Sequence, residues 1–329
     1  MTISVTSTRD MTREAWLEAR RSGIGGSDAA ALVGMNPWAT PWTVWADKMG
    51  IAAEKEETEA IRLGRDLEPY VAERFTEVSA LQVRRVNAIL RNPAYPVALA
   101  NIDRRIVGES AGLECKTTSA WHTKEYRGGT FPDRFYAQCV HYLAVTGWDR
   151  WYLAALVLGE GLHIYQMVRN PDEPTPAWCE GSVYVDNQEI ESLMLAEAEF
   201  WGKHVATKTP PPVDGEPATT KAIQTARGEP QDEDALLDRT ADATIKSYID
   251  LRAQKQALER EMERCKQSIL ISLGTASKGH TGSYSVSCDT STRRSLDTKL
   301  LHDTFPTLNL DPFYKVSTSQ RFTVKERKA

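Results

Sequence analysis

The sequence predicts a mixed α/β (α+β) fold: a central mixed β-sheet flanked by helices, followed by a long C-terminal helix and a small β-containing unit. Three observations carry this. A hydrophobic content of 41% over 329 residues is enough for one sizeable core. Apolar spacing changes from helical before residue 80 to short strand-like runs between 97 and 168, with one helical stretch among them. A run with Pro210, Pro211, Pro212, Pro217 and Pro230 then interrupts any periodic pattern.

In chain order, Met11 to Arg20 and Ser27 to Val33 read as helices, as do Pro41 to Met49 and Glu56 to Ser79. Trp38, Trp42 and Trp45 fall at helical spacing and are expected in the core. The run Glu54-Lys55-Glu56-Glu57 reads as a solvated helix start. Val97 to Val107 and Leu113 to Thr117 read as short strands joined by a turn at Gly108. Pro132 to Thr146 is a helix with Phe135, Cys139, Tyr142 and Leu143 on one face, and Trp148 and Trp151 are expected beneath the sheet. Arg150 to Leu158 and Leu162 to Val168 form a hairpin around Gly159-Glu160-Gly161, and Glu189 to Lys203 closes the unit as a helix. These elements give a first domain over 10–208, a Pro-rich acidic linker over 209–235, and a C-terminal segment over 236–329. In that segment Leu236 to Leu273 is a long helix whose Tyr248, Leu251, Leu258, Met262, Cys265 and Ile269 lie on a heptad-like seam interrupted by Lys255. Tyr284, Val286 and Cys288 alternate as in a strand, and so do Phe322 and Val324.

Composition excludes several classes. Apolar runs are too short for a membrane span, and MTISVTSTRD has neither a basic start nor an apolar stretch for export, so a cytoplasmic location is expected. Cys115, Cys139, Cys179, Cys265 and Cys288 include no CxxC pair, against a disulfide framework, a zinc knuckle or a cysteine-ligated cluster. The net charge of −5 is uneven: from Ser277 onward the chain is net +4, which leaves −9 for the remainder. A basic tail of this kind can touch nucleic acid, and the heptad seam can serve self-association or a partner.

The chemistry-bearing residues begin with Asn101-Ile102-Asp103 and, eleven residues on, Glu114-Cys115-Lys116. Positions 114 and 116 share a strand face, so a hairpin would bring Asp103, Glu114 and Lys116 to one point. Two carboxylates there offer hard oxygen ligands for Mg²⁺, and the lysine can orient or deprotonate a water. The same letters fit a polar turn and a surface ion pair. Against that, the charges interrupt apolar strand, where unpaired charge is costly without a ligand. A second stretch, Trp16 to Asp28, joins basic residues to Gly25-Gly26 and a helix start at Ser27. Free amides there, with Arg20, can hold a phosphate; a capped helix with a glycine turn reads the same way. His122, His141 and His163 have no ligand spacing and are expected to be structural or surface residues.

With these stretches in order, the sequence resembles the YqaJ-type viral recombinases, related to phage lambda exonuclease within the PD-(D/E)xK nuclease superfamily. The carrying residues are WLEARRSGIGGS from Trp16 to Ser27, Gly64 to Pro69, Asn101-Ile102-Asp103, Glu114-Cys115-Lys116, and Gln138 with Tyr142. Ser295 to Lys299 and Ser319 to Val324 also resemble the tails of longer members. Isoleucine precedes Asp103, a departure from the superfamily's "PD". The resemblance implies a restriction-endonuclease-like core and two metal ions, magnesium with manganese as substitute. Asp103, Glu114 and the carbonyl of Cys115 would be ligands, with Glu68 serving the second ion. Lys116 would position the water, Gln138 would steady the site, and Arg20 and Ser27 would grip a 5′-phosphate. It further implies an exonuclease acting 5′→3′ on linear double-stranded DNA to leave 3′ overhangs, a homotrimeric ring, and a single-strand annealing protein as partner. An endonuclease on the same core, or a non-catalytic DNA-binding or assembly protein, are the alternatives; a cluster-bearing Cas4-like nuclease lacks its cysteines here.

Overall fold

Side-chain caps open most of the helices in the first unit. In the computed structural model, which describes residues 2–52, 57–229, 231–292 and 294–305, strand β1 (Ser4–Ser7) precedes helix α1 (Arg13–Arg21). The Thr12 hydroxyl accepts from the Ala15 amide at its start, Glu14 lies in the first turn and Arg20 and Arg21 in the last, all favourable to the helix dipole. Next come β2 (Ile24–Gly25), α2 (Gly26–Leu32) and α3 (Pro41–Lys48), the last capped by Thr40 with proline at its first position. Thr58 caps α4 (Glu59–Ser79). Strands β3 (Val83–Arg85), β4 (Ala88–Arg91), β5 (Ala98–Ala100), β6 (Arg104–Ile106) and β7 (Ala111–Ser119) follow. A 3-10 turn (Ala120–Tyr126) leads to α5 (Asp133–Thr146), which Gly147 ends in the left-handed region at φ 65°. Then come β8 (Arg150–Leu158), β9 (Gly161–Val168), β10 (Gly181–Tyr184), α6 (Asn187–Phe200) with a π-helical turn (Trp201–Val205), and α7 (Pro217–Arg227).

The strands form two sheets, six-stranded in the order β10-β9-β8-β7-β6-β3 and four-stranded in the order β1-β4-β5-β2. In the larger, β7 and β8 run parallel along their whole length while β6, β3 and β9 join antiparallel, so the central sheet is mixed as expected. Alternate residues of its strands face opposite layers. Leu113, Cys115, Tyr152 and Ala154 pack with Val71, Ala72 and Phe75 of α4. Trp151, Leu153, Ala155 and Val157 pack with α5 and α6. Helices therefore cover both faces, and β7 lies between them.

Three expectations change, and a fourth falls mostly outside the described residues. Val97 to Val107 is not one strand: β5 belongs to the four-stranded sheet and β6 to the six-stranded one, and the chain changes sheets across Asn101-Ile102-Asp103. The stretch read as linker over 209–235 contains α7, which packs on α3; its buried Thr219 hydroxyl lies 2.7 Å from that of Thr40. Beside the threonine pair, only Ala222 and Ile223 of α7 pack on the cluster around Trp42 and Trp45, an apolar face too short to read as a period. Trp42 and Trp45 are buried, but Trp38 precedes α3 and is 60% exposed, because the chain has not yet entered the helix that would align it. Of the run Glu54-Lys55-Glu56-Glu57, the first three residues lie outside the described residues.

Two compact units are present, Met1–Pro230 and Gln231–Ala329. The second contains α8 (Thr240–Leu273), a hairpin of β11 (Lys278–His280) and β12 (Ser285–Ser287), and α9 (Thr298–Thr304). No residue of α8 is buried, and Leu251, Leu258 and Met262 of its seam are exposed. Phe322, Val324, Ser319 and the basic residues from Lys315 onward lie outside the described residues. Among the described residues no helix is long and apolar enough to cross a membrane.

Candidate active site

The sheet change places Asp103 immediately before β6, where the register of Arg104 with Leu113 sets it against Glu114. Its Oδ2 accepts the Cys115 amide at 2.9 Å. Glu114 points to the α5 side and is 3% exposed. Its Oε1 meets Lys116 Nζ at 2.5 Å and accepts from Gln138 Nε2 at 2.8 Å. Gln138 also donates to the Tyr142 hydroxyl at 2.9 Å, which itself donates to the Asn101 carbonyl at 3.1 Å. A chain of contacts thus ties α5 to the bend that delivers Asp103. The Cys115 thiol packs on the α4 side, so only its backbone can serve the opposite face.

The electrostatics are unbalanced. Two carboxylates face one ammonium, and Glu114 Oε2 is buried with no partner among the described residues. Burial, then the charge of Glu114, push the Asp103 carboxyl up from 3.8 to about 8, against the pull of Lys116 and the Cys115 amide. Burial works against the charge of Lys116, but Glu114 and Asp103 outweigh it and hold the amine protonated beyond its ordinary range. A buried carboxylate oxygen without a donor and a neighbouring carboxyl starved of counter-charge are the features a hard divalent cation would remedy, so the donors fit magnesium in kind. The set is small: among the described residues no three His, Cys, Asp or Glu side chains gather as a metal site. Glu68 stands aside, because its Oε1 is held by the buried Arg104 at 2.5 Å, with Arg85 at 3.8 Å.

The second expected group lies on α1 and α2. Arg20 Nη2 donates to Ser27 Oγ at 3.2 Å, and its guanidinium sits 4.9 Å from the centre of the Trp16 ring. The Gly25 amide is not free for a ligand, since it donates to Asp28 Oδ2 at 3.0 Å. Asp28 is paired with Lys48 at 2.6 Å, and Lys48, buried at the end of α3, also donates to the Arg20 carbonyl at 3.3 Å. Burial opposes the charge of Asp28, yet Lys48 holds its carboxyl below the usual range. Gly26 is required by close approach: a Cβ there would stand 2.7 Å from Tyr142 Cε1 and 3.2 Å from Gln138 Cγ. The glycine turn is thereby pressed against the same two side chains that steady Glu114.

Both groups line one cavity of about 220 Å³, whose walls include Trp16, Arg20, Ser27, Asp103, Glu114 and Gln138. Glu68 and Lys116 are not among its lining residues. Reading the sequence missed Lys48 as part of this architecture; its signal was a lone basic residue three positions after Trp45 on an apolar helix face. His141 is fully buried, its Nδ1 2.7 Å from Glu197 and its Nε2 3.0 Å from the Leu99 carbonyl, a structural role. His122 pairs with Glu125 near the surface, and His163 lies 2.6 Å from Glu180.

Residues 15–149 match the YqaJ-like viral recombinase domain family. The uncharacterized protein YqaJ of Bacillus subtilis (strain 168) is 35% identical over 325 residues, covering 96% of this chain and 95% of its own. Among solved structures, LHK-Exo in complex with dAMP is 18% identical with a TM-score of 0.44, covering 59% of this chain and 98% of that one. The alkaline exonuclease LHK-Exo from Laribacter hongkongensis is also 18% identical, over 59% of this chain and 98% of its own, with a TM-score of 0.43. A phage related exonuclease from Haemophilus somnus 129PT is 10% identical with a TM-score of 0.39, over 59% of this chain and 99% of that one. With similarity to the Bacillus protein running nearly end to end, and the family's domain spanning the residues that build the cavity, the chain belongs to the YqaJ-like viral recombinase family.

Proposed function

We propose that this protein is a metal-dependent exonuclease that degrades one strand of linear double-stranded DNA from a 5′-phosphorylated end, 5′→3′, leaving 3′ overhangs for phage-type recombination. The observation that carries this is the shared cavity. A cationic group able to hold a phosphate and a pair of buried carboxylates able to hold a cation open into the same space. A surface ion pair has no need of the first, and a capped helix has no need of the second.

Asp103 and Glu114, with the carbonyl of Cys115, are the residues that would hold magnesium, with manganese as a substitute. When bound, the ion screens phosphate charge and stabilises the oxygens that attack and leave. Arg20 and Ser27 bind the terminal phosphate and set the register of the strand by charge-assisted hydrogen bonds. Lys116, held charged against Glu114, orients the attacking water and offsets negative charge beside the scissile bond. Gln138 keeps Glu114 in its rotamer and leaves Oε2 free. A second ion would call on Glu68, which would first have to part from Arg104. In the same reading the protein works as a homo-oligomer, a ring of three by family resemblance, beside a single-strand annealing protein in the cytoplasm of the host bacterium.

The test is digestion of linear duplex labelled separately at each 5′ and 3′ end, with and without a 5′-phosphate, in magnesium. Mononucleotides are expected from 5′-phosphorylated ends, reduced on the order of a thousandfold in Asp103→Asn without loss of fold, about 4 kcal/mol in barrier. Efficient cutting of closed circles would replace the exonuclease by an endonuclease. Activity unchanged in Asp103→Asn would remove the site altogether.

A further inference from the structure

The cross-strand row that passes through Gly112 ends at the sheet edge in two arginines. Arg84 of β3 and Arg105 of β6 are direct partners, Arg105 is opposite Gly112 of β7, and Gly112 is opposite Trp151 of β8. Residues in one row share a face. Gly112 has no side chain because the Trp151 ring lies where its Cβ would stand, and Trp151 belongs to the α5-side core. Arg84 and Arg105 are therefore on the face that also carries Glu114. Both are exposed, and neither side chain forms a hydrogen bond or ion pair among the described residues.

The neighbouring row provides the contrast. Arg85 and Arg104 are also opposite one another, on the α4 side, and both reach Glu68. Like charges set directly opposite across antiparallel strands repel, so a pair without an acid gains nothing for the fold and suits an external anion. Gly112 lies two residues from Glu114, about 7 Å along the strand, and Arg105 and Arg84 lie about 5 and 10 Å further across. That places their backbone roughly 9 and 12 Å from Glu114, within reach of the phosphates next to the candidate scissile position.

We propose that Arg84 and Arg105 form a subsite for the phosphodiester backbone of the DNA substrate, set on the sheet edge beside the cleavage site. It rests on the nuclease reading and adds the residues that hold the strand away from its end.

The experiment compares the full-length protein with Arg84→Gln/Arg105→Gln and with Arg84→Lys/Arg105→Lys. Anisotropy of a labelled blunt duplex is titrated with salt in EDTA, and KM and kcat are measured in magnesium. The glutamine variant should flatten the slope of log affinity against log salt by about two, raise KM about tenfold and leave kcat at saturation unchanged. The lysine variant should keep most of the binding. An unchanged slope and KM in the glutamine variant, while the parent protein cuts DNA, overturns the subsite alone. A fall of several degrees in Tm overturns it too, because it would show the arginines serve the fold. A parent that neither binds nor cuts duplex DNA removes the nuclease reading and this inference with it.

Discussion

Helix α5 touches two buried charged groups through side chains three residues apart, and they are built on opposite principles. Gln138 reaches Glu114, which with Asp103 sets two acids against Lys116. His141 reaches Glu197, one base to one acid, and its Nε2–H donates to the Leu99 carbonyl, so Nδ1 and Glu197 share a single proton. Asp28 and Lys48, beside the glycine turn, are likewise paired one to one. Where acid and base balance, charge cancels within the group, although Glu197 Oε2 is also buried with no partner among the described residues. Where acid exceeds base, the protein has built a deficit of positive charge that a proton on Asp103 or a bound cation fills, at a cost in stability.

The largest expected effect comes from unbalancing the balanced pair. Lys48→Met leaves Asp28 buried beside an apolar chain, which costs about 3–5 kcal/mol and should lower the Tm on the order of 10 °C. Asp28→Asn/Lys48→Met removes both charges and should recover more than half of the loss in the same melting experiment. If Lys48→Met melts with the parent protein, the pair is not structural and the contrast fails.

A smaller effect separates the two kinds of group by the sign of their pH response in EDTA. The Asp103 carboxyl is raised from 3.8 to about 8 in the fold, so its contribution is fully present below about pH 4 and is lost as pH rises toward 8. Asp28 is lowered from 3.8, so its contribution is present above that value and is lost in acid. Melting curves of Asp103→Asn and the parent should therefore diverge between pH 5 and 8, with the parent falling relative to the variant as pH rises. Magnesium should reverse that trend in the parent only, since the ion competes with the proton for the carboxylate. Parallel curves at every pH would mean that the deficit is not there.

How far the site could be read from the letters follows the same division. Asp103, Glu114 and Lys116 were legible because charge interrupting apolar strand is unusual, and strand period alone places 114 and 116 on one face. Arg20 and Ser27 were legible from a basic helix end before two glycines. The sheet change at Asn101-Ile102-Asp103 was not, since Ala98 to Ala100 before it and Ile106-Val107 after it look like parts of one continuous strand until their partners are known. Lys48 and α7 escaped for a related reason: one depends on an acid twenty residues away, the other on a hydroxyl pair 179 residues apart and a two-residue apolar face at Ala222-Ile223, too little for a readable period. The resemblance implies Glu68 as a residue serving the second ion, whereas its contact with Arg104 of β6 is fixed by packing and invisible in the local sequence.

The smallest effect is at the junction itself. Gln138→Leu removes the donor to Glu114 and to Tyr142 but leaves Lys116 on the same Glu114 oxygen, so the carboxylate stays partly anchored. One neutral-to-charged hydrogen bond is worth about 1.5–3 kcal/mol at most, and the leucine returns some of that as apolar packing in a buried position. Stability should change by about 1 kcal/mol, whereas kcat should fall on the order of tenfold, because a rotamer shift at Glu114 misplaces the cation donor without unfolding anything. Steady-state kinetics and melting of the same preparation test both parts together. Equal losses in Tm and kcat would mean that Gln138 belongs with the balanced, structural groups, and α5 would then support the fold alone.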